Sequence, residues 1–303
     1  MFIVKNRIIF YTLSLILVAA SFAALFVWGL KPGIDLRGGS IIEVEYAEAA
    51  PAGEALAQSL GALALGEYSI RSTGDKGLLI RTVELDQDRH DAVLEALSQG
   101  GALSLEEKRF NSIGPVLGKE ALQKSWISIF LVLLCIILFI TFAFRKVSKP
   151  VSSFKFGLMA ILGLAHNIII TSGAFAVFGH FYGFEIDTLF VTALLVILGF
   201  SIHDTIVVFD RIRENLGWNA ENKQKKDFGT IVGESINQTF VRSINTSVTT
   251  LVAIVALYIF GPETTKHFSL ALIIGIAAGT YSSIFICSPM LVTAFRLQEK
   301  KAR

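Results

Sequence analysis

An aspartate lies within one of the most apolar stretches of the chain. Asp204 follows sixteen uncharged residues that begin at Thr188, and it belongs to the segment LGFSIHDTIVVFDRIREN. Such a stretch is long enough to cross the hydrocarbon core of a bilayer. A carboxylate there costs roughly 3 kcal/mol even on the most lenient insertion scale, and ionisable residues in membrane spans usually belong to ion or proton pathways. The position of Asp204 therefore indicates a functional acid.

A second apolar stretch carries a positive charge at a similar depth. At 1.5 Å per residue from the turn at Gly261, Arg242 lies roughly 27 Å deep and Thr246 roughly 21 Å deep. Asp204 lies roughly 24 Å from the same side. Arg242 and Thr246 are four residues apart, so they share one helical face. The spacing predicts that Asp204 and Arg242 pair where two helices meet, with Thr246 as a hydroxyl neighbour.

Two interpretations of this pair are open at the level of sequence. In the first, the carboxylate takes up and releases protons, and the guanidinium sets its proton affinity. In the second, Asp204 and Arg242 form a structural clasp near the membrane surface, where arginine can extend its charged head to water. His203 precedes Asp204 but points about 100° away around a helix. It is either an auxiliary proton group or a packed histidine.

The composition places these residues in an α-helical multi-pass membrane protein. The chain has 303 residues, 53% of them hydrophobic, and a formal net charge of +2. Its mean hydropathy is +0.61, and this charge balance does not indicate a nucleic-acid partner. Six stretches are long and apolar enough to span a bilayer. They run approximately over 8–30, 125–144, 157–183, 188–209, 242–260 and 268–295.

Lysine and arginine are concentrated on one side of the predicted spans. They flank the termini and fill the second-to-third and fourth-to-fifth connections: Lys5, Arg7, Arg145, Lys146, Lys149, Lys155, Arg211, Arg213, Lys223, Lys225, Lys226, Arg296, Lys300, Lys301 and Arg303. The short connections on the other side contain only Lys266. The positive-inside rule therefore predicts that both termini face the cytoplasm.

The one long polar segment between spans, residues 31–124, is predicted to form a small outer domain. Its segments follow the order β-α-β-β-α-β, which is typical of a ferredoxin-like α+β domain. Residues 1–30 then form the N-terminal end and first span, and 125–303 form a five-helix bundle. A cytoplasmic loop at 211–240 contains an amphipathic helix that we expect to lie along the membrane surface. His90 lacks a cysteine or histidine companion and is expected on the surface of the outer domain.

Other features argue for packing and against catalysis. Gly275 and Gly279 form a GxxxG pair in the sixth span, which predicts a close helix contact. The sequence contains no HExxH, GxSxG or GxxxxGK[ST] motif, so it gives no sign of a metalloprotease, a serine hydrolase or a nucleotide-binding loop. We therefore expect neither an enzyme nor a bound metal or cofactor.

Five motifs carry a resemblance to a known family. They are GIDLRGG after the first span, SIGPVLG before the second, SIHDTIVVFDRIREN, SINQTFVRSINTSVTT and GIAAGTYSSIF. In this order, and with six spans and one large loop after the first, they resemble the SecD/SecF family of bacterial protein-export membrane proteins. That family is related to the resistance-nodulation-division (RND) transporters. The resemblance covers essentially the whole chain.

The resemblance implies more than the spacing shows. The six spans would be half of an RND-type bundle of twelve, completed by SecD beside the SecYEG channel of the bacterial inner membrane. Residues 31–124 would be periplasmic, and the proton motive force, with protons as coupling ion, would drive late steps of the export of unfolded polypeptides. Further expected partners are SecA, YajC and membrane lipids. An RND-like proton-driven exporter of small molecules or lipids is the alternative.

The resemblance also assigns site residues. The intramembrane aspartate, arginine and threonine of the family fall on Asp204, Arg242 and Thr246, which would form a proton relay. The segments that tie the outer domain to the membrane in the family include the residues expected here to act as hinges, namely Asp35, Gly38, Gly39, Gly114 and Gly118.

Overall fold

The computed structural model describes residues 2–51, 53–63, 65–66, 68–143, 152–224 and 226–302. The chain divides into two compact units. We call Met1–Lys31 with Ile127–Arg303 the membrane unit, and Pro32–Trp126 the sheet unit. Some of the basic residues behind the predicted orientation lie outside the described residues: Arg145, Lys146, Lys149, Lys225 and Arg303.

Helices and strands follow the order that the sequence predicts. In chain order they are α1 (Phe2–Lys5), α2 (Arg7–Val27), α3 (Ile34–Arg37), β1 (Gly39–Tyr46), α4 (Gly53–Gly61), β2 (Ser69–Thr73), β3 (Gly77–Thr82), α5 (Gln87–Leu97), β4 (Leu105–Ile113), α6 (Pro115–Ala143), α7 (Ser153–Tyr182), α8 (Thr188–Glu221), α9 (Phe228–Phe260), α10 (Glu263–Tyr281) and α11 (Ser288–Ala302). A π-helical segment, Ser282–Cys287, joins α10 to α11.

The six predicted membrane spans are confirmed. Within the described residues, six helical stretches are long and apolar enough to cross a bilayer. They differ in how much of their surface other helices cover. Half of the apolar window of α8 is buried inside the structure, against 6% of the window of α6. The helix that carries Asp204 is therefore surrounded by its own chain, whereas α6 presents its apolar side chains outward.

Aromatic and aliphatic side chains from different helices form the core of the membrane unit. Phe156 of α7 meets Phe209 of α8 edge to face, with ring centroids 5.2 Å apart, and Val232 of α9 joins the same buried cluster. A second cluster brings Phe175 of α7 against Phe190 of α8. Each of the two clusters packs α8 against neighbouring helices.

One predicted feature of this unit is wrong. Residues 211–240 were expected to be a loop with a separate amphipathic helix on the membrane surface. Instead α8 continues to Glu221, and α9 is one helix from Phe228 to Phe260. No proline interrupts α9, and its first apolar residues, among them Ile231 and Ile236, are buried in the bundle. Their helical spacing reflects packing against neighbouring helices.

The sheet unit has the predicted β-α-β-β-α-β order. Its sheet has the strand order β2-β3-β1-β4, and all neighbouring strands are antiparallel. Alternate residues of β1, namely Ile42, Val44 and Tyr46, are buried and share one core with α4 and α5. This is the small ferredoxin-like α+β domain that the sequence predicts.

His90 does not lie on the surface, contrary to expectation. It is 6% exposed, and its ring stacks on Phe110 of β4 with centroids 3.9 Å apart. Its Nε2 lies 3.1 Å from Glu107 Oε1. His90 precedes the buried Val93 by three residues and Leu97 by seven, so it lies on the face of α5 that packs against the sheet.

Candidate functional site: a carboxylate buried among hydroxyl groups

Asp204 is buried in the membrane unit where three helices meet. Its side chain on α8 is 2% exposed. Ser247 of α9 donates a hydrogen bond to Asp204 Oδ2 at 3.3 Å. Thr280 of α10 donates to Ser247 Oγ at 2.6 Å. A short chain of hydroxyl groups thus runs from α10 through α9 to the carboxylate on α8.

The three residues meet because they lie at the same depth. Asp204 comes sixteen residues after Thr188, near the start of α8, and Thr280 comes sixteen residues after Thr264 in α10. At 1.5 Å per residue both lie roughly 24 Å from that end of the bundle. The hydrocarbon core is about 30 Å thick, so the cluster lies inside the membrane and nearer its opposite face.

Close helix packing brings α10 against α8 at this level. A side chain at Gly275 would overlap Ile197, and a Cβ at Gly279 would lie 3.1 Å from Ser201 Oγ. The GxxxG pair therefore faces α8 one to two turns before Asp204. Small residues allow such an approach between membrane helices, and here they bring Thr280 within reach of Ser247.

Arg242 and Thr246 do not contact Asp204. Among the described residues no ion pair joins Arg242 to Asp204; the guanidinium is exposed, and its charge acts on the carboxylate only through space. The Thr246 hydroxyl donates to the Arg242 carbonyl at 2.9 Å. The predicted pairing is therefore absent, and the residue that contacts the acid is Ser247. The relay roles of Asp204, Arg242 and Thr246 stay predictions.

The error lies in the rotation of α9 and not in its depth. Ser243 and Ser247 are buried on the face of α9 towards α8, and each directly follows one of the two predicted residues. One residue along a helix turns the side chain by about 100°. The segment SINTSVTT could have indicated the face of α9 that packs against α8. Its two serines are four residues apart, so they share one helical face, and their small side chains allow a neighbouring helix to come close.

A second polar cluster lies beside Asp204, at the histidine and asparagine of the third span for which the sequence predicts a hydrogen-bonded structural role. His166 Nδ1 lies 3.0 Å from Asn167 Oδ1, and Asn167 Nδ2 donates to Ser201 Oγ at 2.6 Å. Ser201 is one turn before Asp204 on α8, and both are buried. His166 Nε2 is buried with no hydrogen-bond partner among the described residues. His166 lies sixteen residues before Tyr182, where α7 ends, so its depth along the helix matches that of Asp204.

The helix that supplies Thr280 is locally unwound. The π-helical segment Ser282–Cys287 begins two residues after Thr280, and the side-chain hydroxyl of Ser288 donates to the Ser283 carbonyl at 3.0 Å. Such π-helical turns are rare and frequently occur at functional sites. His203, by contrast, is exposed on a different face of α8 from Asp204.

The two glycine-rich segments predicted as hinges contact each other within the sheet unit. Gly38 and Gly39 have φ of +87° and +131°, a conformation that favours glycine. A Cβ at Gly118 would lie 2.5 Å from the Gly38 nitrogen, whereas one at Gly114 would meet only the Glu84 side chain at 3.2 Å. Asp35 lies in the first turn of α3 beside them. Their hinge role stays a prediction.

Comparison with known proteins defines the class of this chain. Residues 93–296 match the C-terminal family of SecD/SecF protein export membrane proteins, and residues 23–50 match the SecD/SecF GG motif. The chain belongs to the SecD/SecF family. It is a multi-pass membrane protein and a transport component, not an enzyme. No group of residues suited to a metal ion occurs in the part of the chain that the structure describes.

Its full-length relatives point to one branch of that family. A protein translocase subunit SecF from Thermobaculum terrenum is 42% identical over 304 residues, which cover 96% of this chain and 93% of the relative. The SecF of Anaerolinea thermophila is 35% identical, with 96% and 92% covered.

A solved structure shares the fold. The crystal structure of SecDF, a translocon-associated membrane protein from Thermus thermophilus, superposes with a TM-score of 0.80 at 31% identity. The match covers 97% of this chain and 38% of SecDF. The present chain thus spans about two fifths of the length of SecDF.

Proposed function

We propose that this chain is the SecF-type subunit of a bacterial Sec translocase. With a SecD partner it uses the proton motive force to promote late steps of protein export. The observation that carries the proposal is the environment of Asp204: a carboxylate deep in the membrane unit, held by neutral hydroxyl groups and with its nearest arginine outside hydrogen-bond range. Nothing in this arrangement fixes the acid permanently in its charged form.

Asp204 is the proton-binding group in this mechanism. A charged carboxylate surrounded by apolar helices is costly, and a proton removes that cost. Ser247 can donate to the charged acid or accept from the protonated one, because a hydroxyl does both. The chain from Thr280 through Ser247 therefore adapts to either state without a change of partners, and the protonation state alters how tightly α9 and α10 are drawn to α8.

The exposed face of α9 is the surface that we assign to SecD. Arg242 lies there in a membrane span, where an unpaired guanidinium costs roughly 3 kcal/mol. A carboxylate from the partner would remove this cost and place a second charge beside Asp204. Thr246 lies half-buried on the same face, one turn along the helix, and would line the contact.

Movement of the spans would reach the outer domain through α6. This helix begins at Pro115, beside Gly38, and continues into the predicted second span. A membrane potential of 100 mV supplies about 2.3 kcal/mol for each charge that crosses it fully. One proton can therefore shift a two-state equilibrium by roughly fifty-fold. The glycine segments would carry that shift to the sheet unit.

The proposed setting is the bacterial inner membrane, with both termini cytoplasmic and the sheet unit periplasmic. The distribution of Lys and Arg supports this orientation. The proposed partners are SecD and the SecYEG channel, with SecA and YajC as further components and the unfolded exported chain as client. Protons are the coupling ion, and the mechanism requires no other cofactor.

The experiment compares two conservative substitutions on α8. Asp204→Asn keeps the shape but cannot bind and release a proton, so we expect it to abolish proton-dependent export while membrane insertion and copurification with SecD persist. Asp210→Asn is the matched control, because Asp210 is exposed and paired with Arg213 at 2.6 Å, and we expect export within twofold of normal. Undiminished export by Asp204→Asn would refute the relay.

A further inference from the structure

An apolar groove runs along the membrane unit between α2, α7 and α11. Its volume is about 450 Å³, which is within the range of sites that hold small molecules. Its walls include Leu15 and Val18 of α2, Met159 of α7, and Met290 and Leu297 of α11. None of the hydroxyl groups that lead to Asp204 lines it. The groove is therefore separate from the site described above.

One end of the groove is polar. There the Tyr11 hydroxyl lies 3.2 Å from Thr293 Oγ1, and Leu297 continues the same face of α11 one turn further. Arg7 precedes Tyr11 by four residues, so both lie on one face of α2. The Arg7 charge is close enough to act on the Tyr11 hydroxyl. The face of α2 that lines the groove therefore continues to the positively charged side chain of Arg7.

A second helix brings another cation to the same end. Lys155 precedes Met159 by four residues and shares its face of α7. Lys155 Nζ donates to Gln298 Oε1 at 2.5 Å, and Gln298 directly follows the groove residue Leu297. Among the residues that the structure describes, neither Arg7 nor Lys155 takes part in an ion pair. Two cations therefore lie where the groove ends, and no acidic side chain that the structure describes pairs with either.

We propose that this groove binds an anionic glycerophospholipid, with one acyl chain along the apolar wall and the phosphate at Arg7 and Lys155. Apolar cavities stay free of water, so in a bilayer the groove must be filled by hydrocarbon. Basic pockets between membrane helices bind anionic head groups. The two cations at the polar end of the groove favour an anionic head group, and the length of the apolar wall sets the length of acyl chain that fits. The site is independent of proton transfer at Asp204.

Native mass spectrometry of the purified full chain tests the apolar wall. The chain is exchanged into nanodiscs of equal phosphatidylglycerol and phosphatidylcholine, and the lipids that remain bound after release are counted. We expect one phosphatidylglycerol per chain, and Leu15→Trp should lower its retention about tenfold by filling the groove. Leu13→Trp is the matched control, since Leu13 is an exposed leucine of α2 outside the groove. It should retain lipid normally.

Two variants that each remove one positive charge test whether the bound lipid has an anionic head group. Arg7→Gln should abolish the preference for phosphatidylglycerol, whereas Lys5→Gln, an exposed lysine two residues away, should leave it intact. Equal retention of the two lipids by the unaltered chain would overturn the proposal, as would normal retention by Leu15→Trp. Loss of the lipid when SecD binds would show instead that a protein helix covers the groove. All four substitutions replace side chains outside the buried core, so folding is not the readout.

Discussion

The two units treat a buried ionisable side chain in opposite ways. In the sheet unit, His90 is stacked on Phe110, and its Nε2 lies 3.1 Å from the carboxylate of Glu107, which is itself partly exposed. In the membrane unit, Asp204 is 2% exposed and contacts a hydroxyl group. An ionised carboxylate can only accept a hydrogen bond from its neighbour, whereas a hydroxyl can donate or accept one.

The polar groups inside the two units differ accordingly. The sheet unit has an apolar core, and Lys108 pairs with Glu45 and Glu106 at its surface. The interior of the membrane unit is instead lined with serine, threonine, asparagine and histidine side chains. Polar groups in a membrane interior cost free energy, and in the proposed mechanism their concentration around α8 is where the structure responds to a change of charge.

The largest effect is expected where the two glycine segments of the sheet unit contact each other. Gly118→Ala would place a Cβ 2.5 Å from backbone at Gly38, and backbone cannot move aside as a side chain does. We expect the free energy of unfolding of the sheet unit to fall by about 3 kcal/mol. Pulse proteolysis of the full chain in nanodiscs measures it.

Gly114→Ala is the matched control for that overlap. Its Cβ would meet only the flexible carboxylate of Glu84 at 3.2 Å, so the loss should stay within about 1 kcal/mol. Equal losses for the two alanines would mean that the contact between the glycine segments is loose. The sheet unit would then not be rigid where it meets α6.

The next effect concerns the hydroxyl chain of the membrane unit. Ser247→Ala removes the hydrogen bond to Asp204, a bond to a charged group worth about 1.5 kcal/mol. We expect proton-dependent export to fall about tenfold, measured in vesicles with an imposed proton gradient. Ser243→Ala, one turn away on the same buried face, removes a hydroxyl that has no partner among the described residues. Its export should be normal, and a similar loss in both would argue for general packing.

Ser243 and Ser247 also show which parts of the site can be predicted from the sequence and which cannot. Hydropathy and periodicity predict the six spans and the order of strands and helices along the sheet unit, since both follow from local patterns of apolar residues. Depth along a span also follows from counting, which brought Asp204, Arg242 and Thr246 to one level. The rotation of α9 does not follow from counting, because it depends on which side of the helix packs against α8. Sequence therefore located the acid and its level but named the wrong neighbour.

His90 illustrates the same limit in the sheet unit. The lack of a cysteine or histidine companion predicted a surface position, although the spacing to Val93 and Leu97 places His90 on the buried face of α5. The missing information was Glu107, which comes from a strand seventeen residues later in the chain. A buried polar side chain can be predicted only when its partner is known, and partners on other elements are set by the tertiary fold.

A smaller effect is expected when the charge is removed from the His90 pair. Glu107→Gln keeps the shape of the side chain and a hydrogen-bonding group, so we expect a loss of about 1 kcal/mol in unfolding free energy because the pair is partly exposed. Glu106→Gln is the control: its bridge to Lys108 is on the surface, and the loss should be near zero. If Glu107→Gln causes no loss in unfolding free energy, His90 does not depend on a charged partner, and the contrast between the two units does not hold.

An effect of similar size is expected at Tyr46, a buried polar group of the sheet unit that stays neutral. Its hydroxyl donates to the Leu97 carbonyl at 3.0 Å, and burial raises its pKa above the ordinary 10.0. Because the folded state holds this proton more tightly, the stability it contributes is complete below about pH 10. That contribution is lost as the pH rises through the folded-state pKa.

Tyr46→Phe should therefore cost about 1 kcal/mol at pH 7, from the lost hydrogen bond, and weaken the decline in stability above pH 10. Pulse proteolysis at pH 7 and at pH 10.5 measures both. An unchanged alkaline slope would mean that the Tyr46 hydroxyl reaches solvent. A phenol is already protonated throughout the physiological range, and burial raises the pKa of Tyr46 further, so this group stays in one charge state, whereas the mechanism proposed for Asp204 requires both.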